Sequence, residues 1–114
     1  MPDPVATDPD HYRVLWENER VRVLEYRDRP GDRTHPHEHP DSVMVTLSSF
    51  EREISSGCRH VPVHLDAGQA RWLDAQTHAG HNVGDTATHV IFVELKERRP
   101  TVSADTPTLG PTAP

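Results

Sequence analysis

Between residues 12 and 95 apolar and polar positions alternate in short runs, a period of two that marks half-buried strands. The pattern predicts strands over 12–16, 21–27, 42–47, 52–54, 60–65, 70–73, 78–83 and 88–95. Turn chemistry separates them: Glu17-Asn18-Glu19, then Asp28 to Gly31, Ser55-Ser56-Gly57, Asp66-Ala67-Gly68 and Gly84-Asp85. Helical period is confined to candidate short turns near Glu17 and over 96–99. Many short strands with regular turn signals argue for an all-β sandwich or barrel. Closing the sheet would remove its exposed edges and leave an interior wide enough for side chains or one small ligand.

The two ends read differently. Residues 1–10 and 100–114 hold seven of the eleven prolines and no Lys or Arg. Segments of this kind bury too little apolar surface to offset the entropy of ordering, so both are expected to be mobile tails flanking one domain over 11–99. The net charge of −6 is partly a tail effect: without Asp3, Asp8, Asp10 and Asp105, fourteen acids face twelve bases. With no basic stripe or aromatic platform, a nucleic-acid partner is not expected. No run of eighteen apolar residues and no signal peptide is present, so a cytoplasmic, non-membrane protein is expected. The single Cys58 excludes an internal disulfide and fits a reducing compartment. So small a domain commonly gains stability from a metal or an oligomer, and a homodimer is expected.

Candidate chemistry concentrates in His35-Pro36-His37-Glu38-His39, entered through Pro30-Gly31. In an extended strand the three imidazoles share one face. Neighbours two residues apart can converge on one ion, with each nitrogen about 2.0–2.1 Å from a zinc-sized metal. All three would span roughly 13 Å, so two ligands and one bystander are expected, from the pair His35/His37 or His37/His39. Continued without a bulge, their register runs through Asp41, Val43, Val45 and Leu47, which puts the histidines in phase with an apolar face. A third ligand must come from another strand. His78 and His81 are the candidates, on opposite faces, with His78 at the strand start. His11, His60, His64 and His89 lack such partners and read as solvated or packed.

Gly31, five intervening residues and His37-Glu38-His39 resemble the first motif of the cupins. The stretch from Gly68 to Asn82, with Trp72, a turn over 74–77, His78 and Asn82, resembles the second. The resemblance covers 18–97 and implies an antiparallel jelly-roll barrel with His37, His39 and His78 as metal ligands. Two departures stand out. Val43 and Met44 occupy the positions where cupins commonly carry a ligand Glu, and Asp74 and Gln76 replace the Pro and Gly of the second-motif turn. A three-histidine site is implied, as in the cupin dioxygenases that cleave diketones, rather than oxalate-type or sugar-isomerase chemistry.

Three neutral imidazoles leave the +2 charge of a divalent ion uncompensated, with open positions. That suits oxygen or enolate activation on iron, or Lewis-acid catalysis with zinc or nickel; manganese is a further candidate. The expected function is a small metalloenzyme, dioxygenase-like or a cyclase, isomerase or lyase, acting on a small oxygenated molecule. The alternative is a metal-stabilised binding or sensing module. His35, His81 and Asp41 are the candidate acid–base residues, and Asp41 could instead orient a ligand histidine. Trp72, Val43, Val45, Phe92 and Met44 are the expected pocket lining. Because ligand histidines must be neutral, metal affinity is expected to fall below roughly pH 6.5.

Overall fold

The structure, a computed structural model, describes residues 3–96. After a short helix α1 (Pro4–Thr7) it is built from strands: β1 (Tyr12–Glu17), β2 (Val21–Asp28), β3 (His37–His39), β4 (Ser42–Thr46), β5 (Phe50–Ser56), β6 (Arg59–Leu65), β7 (Ala70–Leu73), β8 (Gln76–Asn82) and β9 (Thr88–Leu95). They form two antiparallel sheets, of order β1-β2-β9-β4-β7 and β3-β8-β5-β6. This is the expected all-β jelly roll. The expected C-terminal tail, 100–114, lies outside the described residues.

Pleating decides what faces the interior. On β2 the inward residues are Leu24, Tyr26 and Asp28, and on β9 they are Thr88, Val90, Phe92 and Glu94. The β2–β9 register sets Leu24 opposite Phe92, Tyr26 opposite Val90 and Asp28 opposite Thr88. The facing sheet contributes Phe50, Arg52, His78, Gly80 and Asn82 from β5 and β8. The apolar core is small: Tyr12, Leu24, Tyr26, Phe50, Val90 and Phe92. At the end bearing β3 the interior carries His37, His39, His78 and Glu94; at the other, Asp28, Arg52, Asn82 and Thr88. Buried polar groups are costly unless paired, so an interior this polar is not explained by packing alone.

Two sequence expectations fail here. The register does not run unbroken from the histidines into the next strand. β3 belongs to one sheet and β4 to the other, and the chain turns between them at Pro40-Asp41. Past that corner the even positions Ser42, Met44 and Thr46 face inward, while Leu47 is 49% exposed. The second correction concerns residues 3–10, read as a tail. They include α1, with Asp3 as N-cap accepting from Val5 N at 3.0 Å and Pro4 buried in the first turn. Asp8, just beyond, is only 5% exposed. Composition alone missed Asp3-Pro4, a helix-start pair in which the missing N–H of proline costs nothing.

Candidate metal centre

β3 and β8 pair with His37 directly opposite His78 and His39 opposite Gln76. All three histidines are buried, at 1%, 0% and 8% exposure for His37, His39 and His78. One ring nitrogen from each lies within 4.8 Å of the other two. Hydrogen bonds fix which nitrogen that is. Nδ1 of His37 donates to the His35 carbonyl at 2.8 Å, Nδ1 of His39 to Glu94 Oε2 at 3.1 Å, and Nδ1 of His78 to Gln76 Oε1 at 2.7 Å. With every Nδ1 facing an acceptor, each ring is held as the Nδ1–H tautomer, and the Nε2 lone pairs are turned inward.

Burial disfavours the charged imidazolium and lowers His37 to about 4, helped by the neighbouring His39. Burial likewise lowers His78 to about 3, with His39, His37 and Arg52 adding to the effect. Both rings are therefore neutral at physiological pH, the form that coordinates a metal. The donor set fits a borderline divalent ion: three imidazoles, preset tautomers and a second layer of hydrogen-bond acceptors.

Glu94 is the anchor of that second layer. While Oε2 accepts from His39, Oε1 accepts from Arg22 Nε and Nη2 at 2.9 and 2.7 Å. Arg22 also donates to Asp3 Oδ1 at 2.5 Å, tying α1 to the site. Behind His37 stands Asp8, with Oδ2 at 3.7 Å from Nδ1. Tyr12 completes the inner face: its hydroxyl is 3.4 Å from Nε2 of both His37 and His39. Burial raises the Tyr12 phenol well above its ordinary range and keeps it protonated.

The cluster opens on a cavity of about 270 Å³, lined by Tyr12, His37, His78, Arg52 and the apolar Met44, Phe50 and Phe92 among others. Such a volume suits a small molecule, below the roughly 300–1,000 Å³ of drug-sized sites.

Of the sequence candidates, His37, His39 and His78 converge, and the three proposed acid–base residues do not join them. The His35 ring is 77% exposed and turned to Asp8 Oδ1 at 3.0 Å, because Pro36 separates it from the buried pair. His81 lies on the outward face of β8, between the buried Gly80 and Asn82. Asp41 builds the β3–β4 corner: its carboxylate accepts from Ala75 N at 2.9 Å and its carbonyl from Leu95 N. The orienting role considered for it belongs to Glu94. Of the expected lining, Met44 and Phe92 face the cavity, whereas Trp72 is 53% exposed, its indole donating to Asp74.

No family profile matches the chain. The β-alanine degradation protein BauB of Pseudomonas aeruginosa is 39% identical over 87 residues, spanning 73% of this chain and 87% of its own length. A cupin domain from Bordetella pertussis has 28% identity and a TM-score of 0.70, covering 75% of this chain and 92% of that one. A Klebsiella pneumoniae protein with a double-stranded β-helix domain follows at 25% identity and TM-score 0.58, covering 72% of each chain. With the paired sheets, the two histidine motifs and these relatives in agreement, the chain belongs to the cupin superfamily.

Proposed function

We propose that this cupin is a small metal-dependent enzyme acting on a small oxygenated organic molecule in the barrel lumen. The observation that carries the proposal is the convergence of three buried imidazoles, each with Nδ1 on an acceptor, beside a cavity large enough for a substrate. Among the described residues no fourth His, Cys, Asp or Glu joins the cluster. Structural metal sites are closed by protein ligands and catalytic ones keep positions open, which favours catalysis over a binding or sensing module. A divalent ion held by His37, His39 and His78 would supply Lewis-acid polarisation of a substrate oxygen, or oxygen activation if the metal is iron.

The remaining work falls to the chain. Tyr12 is the candidate acid: its protonated hydroxyl stands beside two of the three Nε2 atoms, where it can donate a hydrogen bond or a proton to a substrate oxygen. Met44, Phe50 and Phe92 exclude water around the reacting oxygen. Dioxygenase-type oxidation ranks ahead of cyclisation, isomerisation or elimination on the three-histidine donor set. The name of the Pseudomonas relative adds support for a small carboxylic-acid metabolite as the substrate.

A homodimer and a cytoplasmic setting belong to the same proposal. Exposed Val14 and Leu15 on edge strand β1 and Trp72 on edge strand β7 offer apolar surface for a second copy. Cys58 is exposed and unpaired, as suits a reducing compartment. Among the described residues no helix is long and apolar enough to cross a membrane.

The test begins with elemental analysis of untagged protein purified without added metal. A single divalent ion per chain is expected, and His37→Ala should lose it; a variant that keeps a full equivalent overturns the site. Oxygen uptake over 1,3-dicarbonyl, phenolic and thiol substrates then separates oxidation from anaerobic turnover.

A further inference from the structure

A second charged group shares the lumen with the histidines and takes no part in holding a metal. Arg52 projects inward from β5 with its side chain only 9% exposed, an expensive position for a guanidinium. One edge of it is fully committed. Nη1 donates to the Asp28 carboxylate and, at 3.3 Å, to Thr88 Oγ1, and the guanidinium carbon lies 5.0 Å from the Tyr26 ring centroid. Asp28 also receives the Tyr26 hydroxyl at 2.5 Å, the Asn82 amide at 2.9 Å and Thr88 N at 3.2 Å. Burial opposes its charged form, but these donors together with Arg52 hold Asp28 below the usual carboxylate range. The arginine is thus clamped in place by an ionised partner that is itself saturated with donors.

The other edge is free. Nη2 makes no hydrogen bond among the described residues, and the guanidinium borders the cavity. It rests over Gly80, where an added Cβ would stand 2.1 Å from it. Glycine is required at 80 for the guanidinium to reach this far across the barrel. His78 is two residues away on the same inward face of β8, about 6.6 Å along the strand. Arg52, Gly80, His37 and His78 line the same cavity. Nearby carboxylates do not compete for that edge: Glu94 is held by Arg22 and His39, and Asp8 by His35. Nη1 is engaged by Asp28 and Thr88, which leaves Nη2 available to a ligand in the cavity that Arg52 lines.

We propose that Arg52 is the carboxylate-recognition residue of the lumen. The substrate is a small organic acid whose carboxylate binds the Nη2 edge while a second oxygen reaches the three-histidine site. The inference deepens the proposed function and rests on it for the second contact. An arginine with two N–H groups on offer suits a planar carboxylate better than a point charge would.

The experiment compares acetohydroxamate with malonic acid monohydroxamate, which share a metal-binding head and differ in the carboxylate. Titration calorimetry on the full chain, loaded with zinc and checked by elemental analysis, should give at least tenfold tighter binding of the acid. In Asp28→Asn/Arg52→Met, which removes both buried charges together, metal content should stay and the preference should vanish. Gly80→Ala, displacing the guanidinium at constant charge, should also reduce the preference. Equal affinities in the unaltered protein overturn the proposal even if neither variant folds, and so does a preference that survives the double substitution. Protein that takes up no zinc yet still prefers the acid fails the metal reading and retains Arg52 as the anion site.

Discussion

Glu94 binds His39 on one carboxylate oxygen and Arg22 on the other, so its charge sets both the basicity and the angle of an imidazole. Glu94→Gln keeps the shape and loses the charge; metal affinity should fall about 10–100-fold in a competitive chelator titration, with the fold intact. Unchanged affinity would show that the tautomer is set without it. Tyr12→Phe tests the opposite role. It should keep its metal by elemental analysis while turnover drops about 10²–10⁴-fold, the usual weight of a lost proton donor. The three histidines of the candidate metal centre are legible in the sequence because their spacing carries a recognisable motif. Glu94 was not, yet a weak signal existed: it shares the phase of Val90 and Phe92 on β9, where a charge must be paired. Asp28 and Arg52 gave the same signal on their own strands. Asp8 gave none, since nothing local in sequence ties it to residue 35.

At the level of elements, strand number and order of turns could be read from alternation, but the change of sheet after His39 could not. Proline at 40 lacks the N–H a continuing ladder needs, and the Asp41 carboxylate caps Ala75 across the corner. The result inverts the inward phase, a one-residue slip that carries Val43 and Val45 off the face of the histidines. The N-terminal segment was also underestimated. Asp8 accepts from His35 N at 3.1–3.2 Å and from its ring at 3.0 Å, clamping the approach to β3. Asp8→Ala removes the carboxylate acceptor of these part-buried bonds and should cost about 1–3 kcal/mol. For a domain of this size a thermal midpoint lower by roughly 4–8 °C per kcal/mol is expected by circular dichroism. A midpoint within a degree of the parent would mean that α1 and its neighbours merely rest on the barrel.

For the whole molecule, the histidines make stability depend on pH in a direction fixed by their depressed pKa values. An unfolded imidazole takes up its proton near 6.5, whereas folded His37 and His78 resist it until about 4 and about 3. Below 6.5 the unfolded chain therefore binds more protons than the folded one, so stability falls as pH falls and levels off only beneath the folded values. The two shifts together span about 6 pH units, so at 1.36 kcal/mol per unit the pair is worth at most about 8 kcal/mol, comparable with the whole stability of a small domain. Metal-free protein should thus melt steeply earlier between pH 6.5 and 4.5. The same shifts revise the pH limit expected from unperturbed histidines: His37 and His78 stay neutral, and available to a metal, well below 6.5. Metal bound only to the folded state adds RT ln(1 + [L]/Kd), which reaches about 2.7 kcal/mol at a hundredfold excess over Kd. Loading with zinc should therefore raise the midpoint at pH 5.5 as well as at 7.5. Melts of metal-free and zinc-loaded protein across this range check both statements, and a metal-free midpoint flat from 7 to 4.5 would mean that the imidazoles are not buried as neutral rings.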